Sequence, residues 1–178
     1  DRVSQVRMPS KLLSDPCNEK RPKRPYSLLQ ILLHWLVVIL ILEQWYTSRA
    51  IPRTHNPLLP PSDADLLQHA LHTYAGIVIG IVMALRLMLA YASYRRRPQI
   101  RPRLTERLAS IVHGGLYFAV LFQAATGFVT TYLWGPARVF HAYLWDIILI
   151  LASVHIAAAV YHLIRGDRVL RRMIPRFR

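Results

Sequence analysis

His141 and His155 stand fourteen residues apart within the last long apolar stretch of the chain, Tyr132 to Leu163. At about 100° and 1.5 Å per residue, that interval returns a helix to within ~40° of the same face, roughly 21 Å further along its axis. Imidazole binds first-row transition metals and is costly to bury without a partner. Two imidazoles on one face at two depths are therefore suited to two metal centres stacked across a bilayer.

The elements that must hold them are membrane spans. The chain is 53% hydrophobic, yet its 23 Lys+Arg against 9 Asp+Glu give a net charge of +14, a mixture that suits apolar helices joined by basic loops. Four segments reach the length of about 20 helical residues needed to cross a ~30 Å hydrocarbon core. They run over 28–47, 69–91, 109–132 and 140–163, and none of the twelve prolines falls inside them. The fold class expected is an all-α membrane protein, a four-transmembrane-helix bundle.

Cations set its orientation. Seven Lys/Arg precede the first span, six lie in the second connection from Arg95 to Arg107, and six follow the fourth span, against only Arg49, Arg53 and Arg138 in the other two connections. By the positive-inside rule both termini face the cytoplasm. The basic runs then anchor beside anionic lipid and require no nucleic-acid partner.

Local punctuation agrees. Arg49 to Asp65 contains four prolines and ends in Ser62-Asp63-Ala64-Asp65, a helix-start signature; Gly135-Pro136 and Gly166-Asp167 are breaks. Trp45, Tyr46, Tyr132, Trp134 and Tyr143 suit an outer aromatic belt, and Tyr26, Tyr91, Tyr94 and Tyr161 an inner one. Residues 1–25 read as a disordered basic tail, 26–165 as the transmembrane domain and 166–178 as a second basic tail. No cleavable signal is visible, so the first span is expected to serve as its own insertion signal. The single cysteine, Cys17, excludes a disulfide framework and covalent haem attachment.

Depth sorts the histidines into pairs. His34 and His155 fall in the inner half, whereas His72 and His141 open their spans from the outer surface. Two such pairs could each clamp an iron from both sides, and haem b is a ligand that a four-helix core accepts between facing helices. His69 is an alternative to His72, and His113 competes for the inner site. Gly76, Gly80, Gly114, Gly115 and Gly127 suit either a flat macrocycle or close helix packing. Arg86 shares the face of His72 near the inner end, where it could bind a haem propionate or snorkel to the interface. His162, one heptad beyond His155, suits a propionate, a quinone headgroup or the interface. Glu43 and Asp146 are expected to pair with Arg49 or Arg138, three outer arginines to focus an anion, and His55 to lie exposed in the outer loop.

These residues resemble a family. Tyr26-Ser27, Gln30-Ile31 and His34-Trp35 are similar to the opening Tyr-Ser-x-x-Gln-Ile-x-x-His-Trp of bacterial cytochrome b-561 proteins. So are His72 with Gly76 and Arg86, His113 with Tyr117 and Gly127, the series His141, His155 and His162, and the closing Leu170-Arg171-Arg172-Met173-Ile174-Pro175-Arg176. The likeness covers Tyr26 to Arg178.

The resemblance implies a bacterial inner-membrane dihaem protein that exchanges electrons with the quinone pool. One branch is a superoxide oxidase, a superoxide:ubiquinone oxidoreductase that takes an electron at the periplasmic face. Carried over, His34, His72, His141 and His155 are the axial ligands of two haem b groups, and His162 lies near ubiquinone. A second version of the same class is a cytochrome b subunit that passes electrons between quinone and a protein redox partner. A histidine-based transporter of zinc or copper is a different class, for which cysteine and carboxylate ligands are scarce. A purely structural subunit would leave the paired histidines unexplained.

Overall fold

The computed structural model describes residues 27–95 and 104–166. The tail over 1–25 with Cys17, Tyr26 of the inner belt, most of the basic second connection, Asp167 and the closing Leu170 to Arg176 segment lie outside the described residues. Helix α1 spans Leu28–Thr47, a single helical turn α2 Ile51–Thr54, α3 Asp63–Arg95, α4 Leu104–Tyr132 and α5 Arg138–Ile164. The four long helices are each apolar and long enough to cross a membrane, and there is no strand among the described residues. The protein is thus an all-α, multi-pass membrane protein.

Helix α1 covers the expected 28–47, whereas α3, α4 and α5 each begin before the expected span, and local caps set several of these ends. A capping box opens α1: Ser27 Oγ accepts from the Gln30 amide and Gln30 Oε1 from the Ser27 amide, both at 3.2 Å. Ser62 Oγ likewise accepts from the Asp65 amide at 3.2 Å and starts α3 at Asp63, ahead of the expected span at His69. The longer helix arises because the polar turns before His69 need no lipid. Gly166 ends α5 with φ at 72°, a conformation that L side chains rarely adopt.

Packing runs α1 on α3, α3 on α4 and α4 on α5, whereas α1 and α5 do not pack closely. The bundle is therefore a ring with one open side. Its core is one layer at mid-height to which all four helices contribute: Val37, Ile79, Val82, Met83, Ala119, Val120 and Ile148. Outside it the helices expose large apolar side chains all round, from Leu32 and Ile39 on α1 to Ile150 and Ile156 on α5, as lipid contact demands. The expected belts are exposed at both ends, and arginines lie over their rings at Trp45, Tyr91 and Tyr161.

Two glutamines tie α1 to α3. Gln30 Nε2 donates to Ser93 Oγ at 3.4 Å at one end, and Gln44 Nε2 donates to the His72 carbonyl at 2.8 Å at the other. Between α3 and α4 a Cβ built on Gly80 would lie 3.2 Å from Ala124 Cβ, whereas one on Gly114 meets nothing within 4 Å. Gly80→Leu is accordingly expected to lose about 1–3 kcal/mol through overpacking. Gly114→Ala should be neutral or gain up to about 1 kcal/mol of helix propensity. Thermal unfolding of the two variants in detergent checks the contrast.

Candidate haem-binding site

The two ends of the ring are the terminal end, where α1 begins and α5 stops, and the loop end, formed by residues 48–62 and 133–137. At the loop end His72 of α3 and His141 of α5 face each other with ring centroids 6.4 Å apart. Toward the terminal end His34 of α1 and His155 of α5 do the same at 6.3 Å. With metal–nitrogen bonds of about 2 Å, imidazoles on opposite sides of one ion hold their centroids roughly 6 Å apart. Both separations fit a bis-imidazole metal centre. Helix α5 contributes one ring to each pair, and neither of its partners here, α1 or α3, is packed tightly against it.

Hydrogen bonds fix which nitrogen each loop-end ring offers. Thr47 Oγ1 donates to the Glu43 carbonyl at 2.9 Å, so its contact with His72 Nδ1 at 3.2 Å is one it accepts. Thr126 Oγ1 donates to the Gln123 carbonyl at 3.0 Å and accepts from His141 Nδ1 at 3.2 Å; that nitrogen also donates to the Gln123 carbonyl at 3.1 Å. Both rings therefore carry their proton on Nδ1 and leave Nε2 as a bare lone pair, the tautomer a metal ligand requires. Thr47 and Thr126 are the buried polar side chains among the described residues, and each holds one histidine. The pattern missed in sequence is Gln123, Thr126 and Thr130, a polar stripe on α4 at helical spacing around the expected Gly127.

Space for the His141 ring depends on Gly127, since a Cβ there would lie 3.0 Å from His141 Cε1. Gln123 Nε2 sits 3.2 Å from His141 Nε2, while its Oε1 is buried without a partner. Such an orphan costs about 1–3 kcal/mol, and a group bound at Nε2 would displace the amide. An orphaned acceptor and a glycine cradle beside an unprotonated imidazole nitrogen that accepts from Gln123 Nε2 fit a large cofactor held by His141.

The terminal-end site brings more groups together. Arg86 donates to the Gln30 carbonyl at 3.3 Å and interacts electrostatically with His34 and His155. His113 comes nearer to His155 than His34 does, with centroids 4.9 Å apart, too close for two rings on opposite sides of one ion. It is exposed, and its Nδ1 is engaged by the Ala109 carbonyl of its own helix. His162 is half-buried in the last turn of α5.

Other expectations need correction. Neither Glu43 nor Asp146 forms an ion pair with Arg49 or Arg138; among the described residues the ion pair is Arg53 with Asp65. Glu43 turns inward to accept from Gln44 Nε2 at 3.0 Å, while the Arg49 guanidinium lies over the Trp45 ring on the exposed face. His69 does not take the place of His72 opposite His141; its ring lies 5.1 Å from that of His55, which is exposed as expected but has this neighbour.

A family model described as prokaryotic cytochrome b561 matches residues 25–176. Among relatives, a cytochrome b562 of Cereibacter sphaeroides is 25% identical over 154 residues, covering 84% of this chain and 94% of that one. A probable superoxide oxidase CybB of Yersinia pestis is 23% identical over 186 residues, covering 87% and 98%. Four apolar helices, histidines facing one another across their interior and a match along nearly the whole chain agree: the chain belongs to the prokaryotic cytochrome b561 family and is a b-type, haem-binding cytochrome of electron transfer.

Proposed function

We propose that the protein is a dihaem cytochrome that moves electrons across the bacterial inner membrane between a donor at the loop end, superoxide in the first reading, and quinone at the terminal end. The observation that carries this reading is the pair of imidazole separations, 6.4 and 6.3 Å, at two levels of one bundle. His72 and His141 are the ligands at the loop end, and His34 and His155 those at the terminal end. Haem b, held by these histidines, would supply a one-electron centre.

The chain's own residues do the rest. Thr47 and Thr126 hold the loop-end rings in the ligating tautomer, and Gly127 leaves His141 room to turn inward. Arg86 supplies a positive charge beside His34 and His155 that suits a propionate. The half-buried His162 suits a quinone headgroup near the last turn of α5. The charge asymmetry of the connections supports a loop end in the periplasm. There Arg49 and Arg138, outside any ion pair among the described residues, favour approach of an anion. The printed name of the Yersinia pestis relative supports superoxide as the donor. A membrane subunit passing electrons between quinone and a protein partner is the second reading.

Purified protein should be red and release about two haems per chain into acid acetone; a colourless preparation from haem-replete cells would refute the proposal. His141→Ala should remove one haem and leave the other, read from the Soret absorbance and porphyrin content. Gly127→Ala should weaken the same centre without touching the second, because its Cβ invades the space of the His141 ring. In a detergent assay, superoxide should drive ubiquinone reduction faster than a reduced soluble cytochrome does. The reverse order would select the partner-dependent conduit.

A further inference from the structure

The two histidine pairs have matching separations and unlike surroundings. At the loop end both rings donate from Nδ1, His72 to Thr47 Oγ1, and His141 to Thr126 Oγ1 and to the Gln123 carbonyl. At the terminal end neither His34 nor His155 makes a ring hydrogen bond among the described residues; the groups against them are other rings, those of Trp35 and His113. An N–H donated to an oxygen leaves more electron density on the imidazole and makes its other nitrogen a stronger ligand. Stronger axial donation favours ferric over ferrous iron and lowers the reduction potential.

Fixed charge acts in the same direction. Glu43 places a half-buried carboxylate at the loop end, where it accepts from Gln44 Nε2, the same group that donates to the His72 carbonyl. The half-buried Arg86 guanidinium is held on the Gln30 carbonyl, one turn before His34, and its charge acts on both terminal-end rings. Reduction takes one positive charge from the iron, so a nearby carboxylate opposes it and a nearby guanidinium assists it. Arg49 and Arg138 are exposed at the loop end, where water and salt screen them.

We propose that these residues hold the loop-end centre at the lower reduction potential and the terminal-end centre at the higher, with Thr47 and Thr126 as positioning residues that set the difference. The inference rests on the dihaem reading above and adds to it the direction of spontaneous flow. One electron leaving a ferrous loop-end iron for a ferric terminal-end iron oxidises the first and reduces the second, and no bond or proton changes hands. Thr126 is the residue to change, because the Gln123 carbonyl still holds the His141 ring when the hydroxyl is gone. Thr47 is the sole partner of His72 Nδ1 among the described residues.

Reductive titration of the purified, haem-loaded protein in detergent, followed by haem absorbance, should resolve two one-electron waves, the lower being the one missing from His141→Ala. Thr126→Val should raise the lower wave by about tenfold in the reduction equilibrium constant, about 59 mV for one electron, and leave the upper wave in place. Thr126→Ser, which keeps the hydroxyl, should retain the wild-type value. A threonine with only a structural role would alter haem content and not the potential. Arg86→Gln should lower the upper wave alone, a second readout that holds even where Thr126→Val takes up haem poorly. Two haems whose waves coincide or stand in reverse order, or a lower wave unmoved by Thr126→Val, would overturn the inference and leave the dihaem reading standing. Fewer than two haems per chain would overturn both.

Discussion

A back-bonded threonine beside a histidine is the interaction on which the interior depends. A hydroxyl in an apolar helix satisfies its hydrogen on the preceding turn of its own backbone, and it is then able only to accept. Thr47 and Thr126 do this, and the rings of His72 and His141 are left no choice of tautomer. Neither hydroxyl is free to rotate into competition for Nε2, so the arrangement is preorganised before any cofactor arrives. Burying two threonines is inexpensive because every hydrogen-bonding hydrogen involved has an acceptor.

Helix packing supplies the complementary constraint. A bundle that closed on all four sides would bring α1 against α5 and leave no room between His34 and His155. Here the contacts stop at three sides, and the shared layer around Ile79 and Ile148 holds the helices together at mid-height. Above and below that layer the histidine pairs share the interior with the buried Ile31 and Leu144 and with Thr47 and Thr126. The glutamines at either end of α1 hold α3 at a fixed height relative to α1, which sets the depth of His72 against that of His34.

Much of this was legible in the chain. Hydropathy located the four spans, and the Ser62 helix start and Gly166 appear where turn chemistry placed them, whereas the Ser27 capping box was not read from the sequence. The interval between His141 and His155 and the depths of His34 and His72 anticipated which rings face each other. The threonines were not legible, because a threonine in an apolar run looks the same whether it faces lipid or a histidine. Glu43 was misread for a related reason: charge suggests a salt bridge, whereas the rotation of α1 turns its carboxylate toward Gln44 and leaves Arg49 on the far face. The approach of His113 to His155 and of His55 to His69 depends on helix rotation and on the one-turn helix α2, neither of which spacing along the chain reveals.

The apolar layer formed by Val37, Ile79, Val82, Met83, Ala119, Val120 and Ile148 is built of side chains that cannot carry a proton, with Tyr117 packed against it. On the proposed route an electron crosses this layer, and its passage through the membrane is electrical work. For a full crossing that work amounts to about 2.3 kcal/mol per 100 mV. The resting voltage of the cell, negative inside, therefore opposes inward flow and assists outward flow, and turnover in sealed vesicles would respond to an ionophore that collapses the voltage.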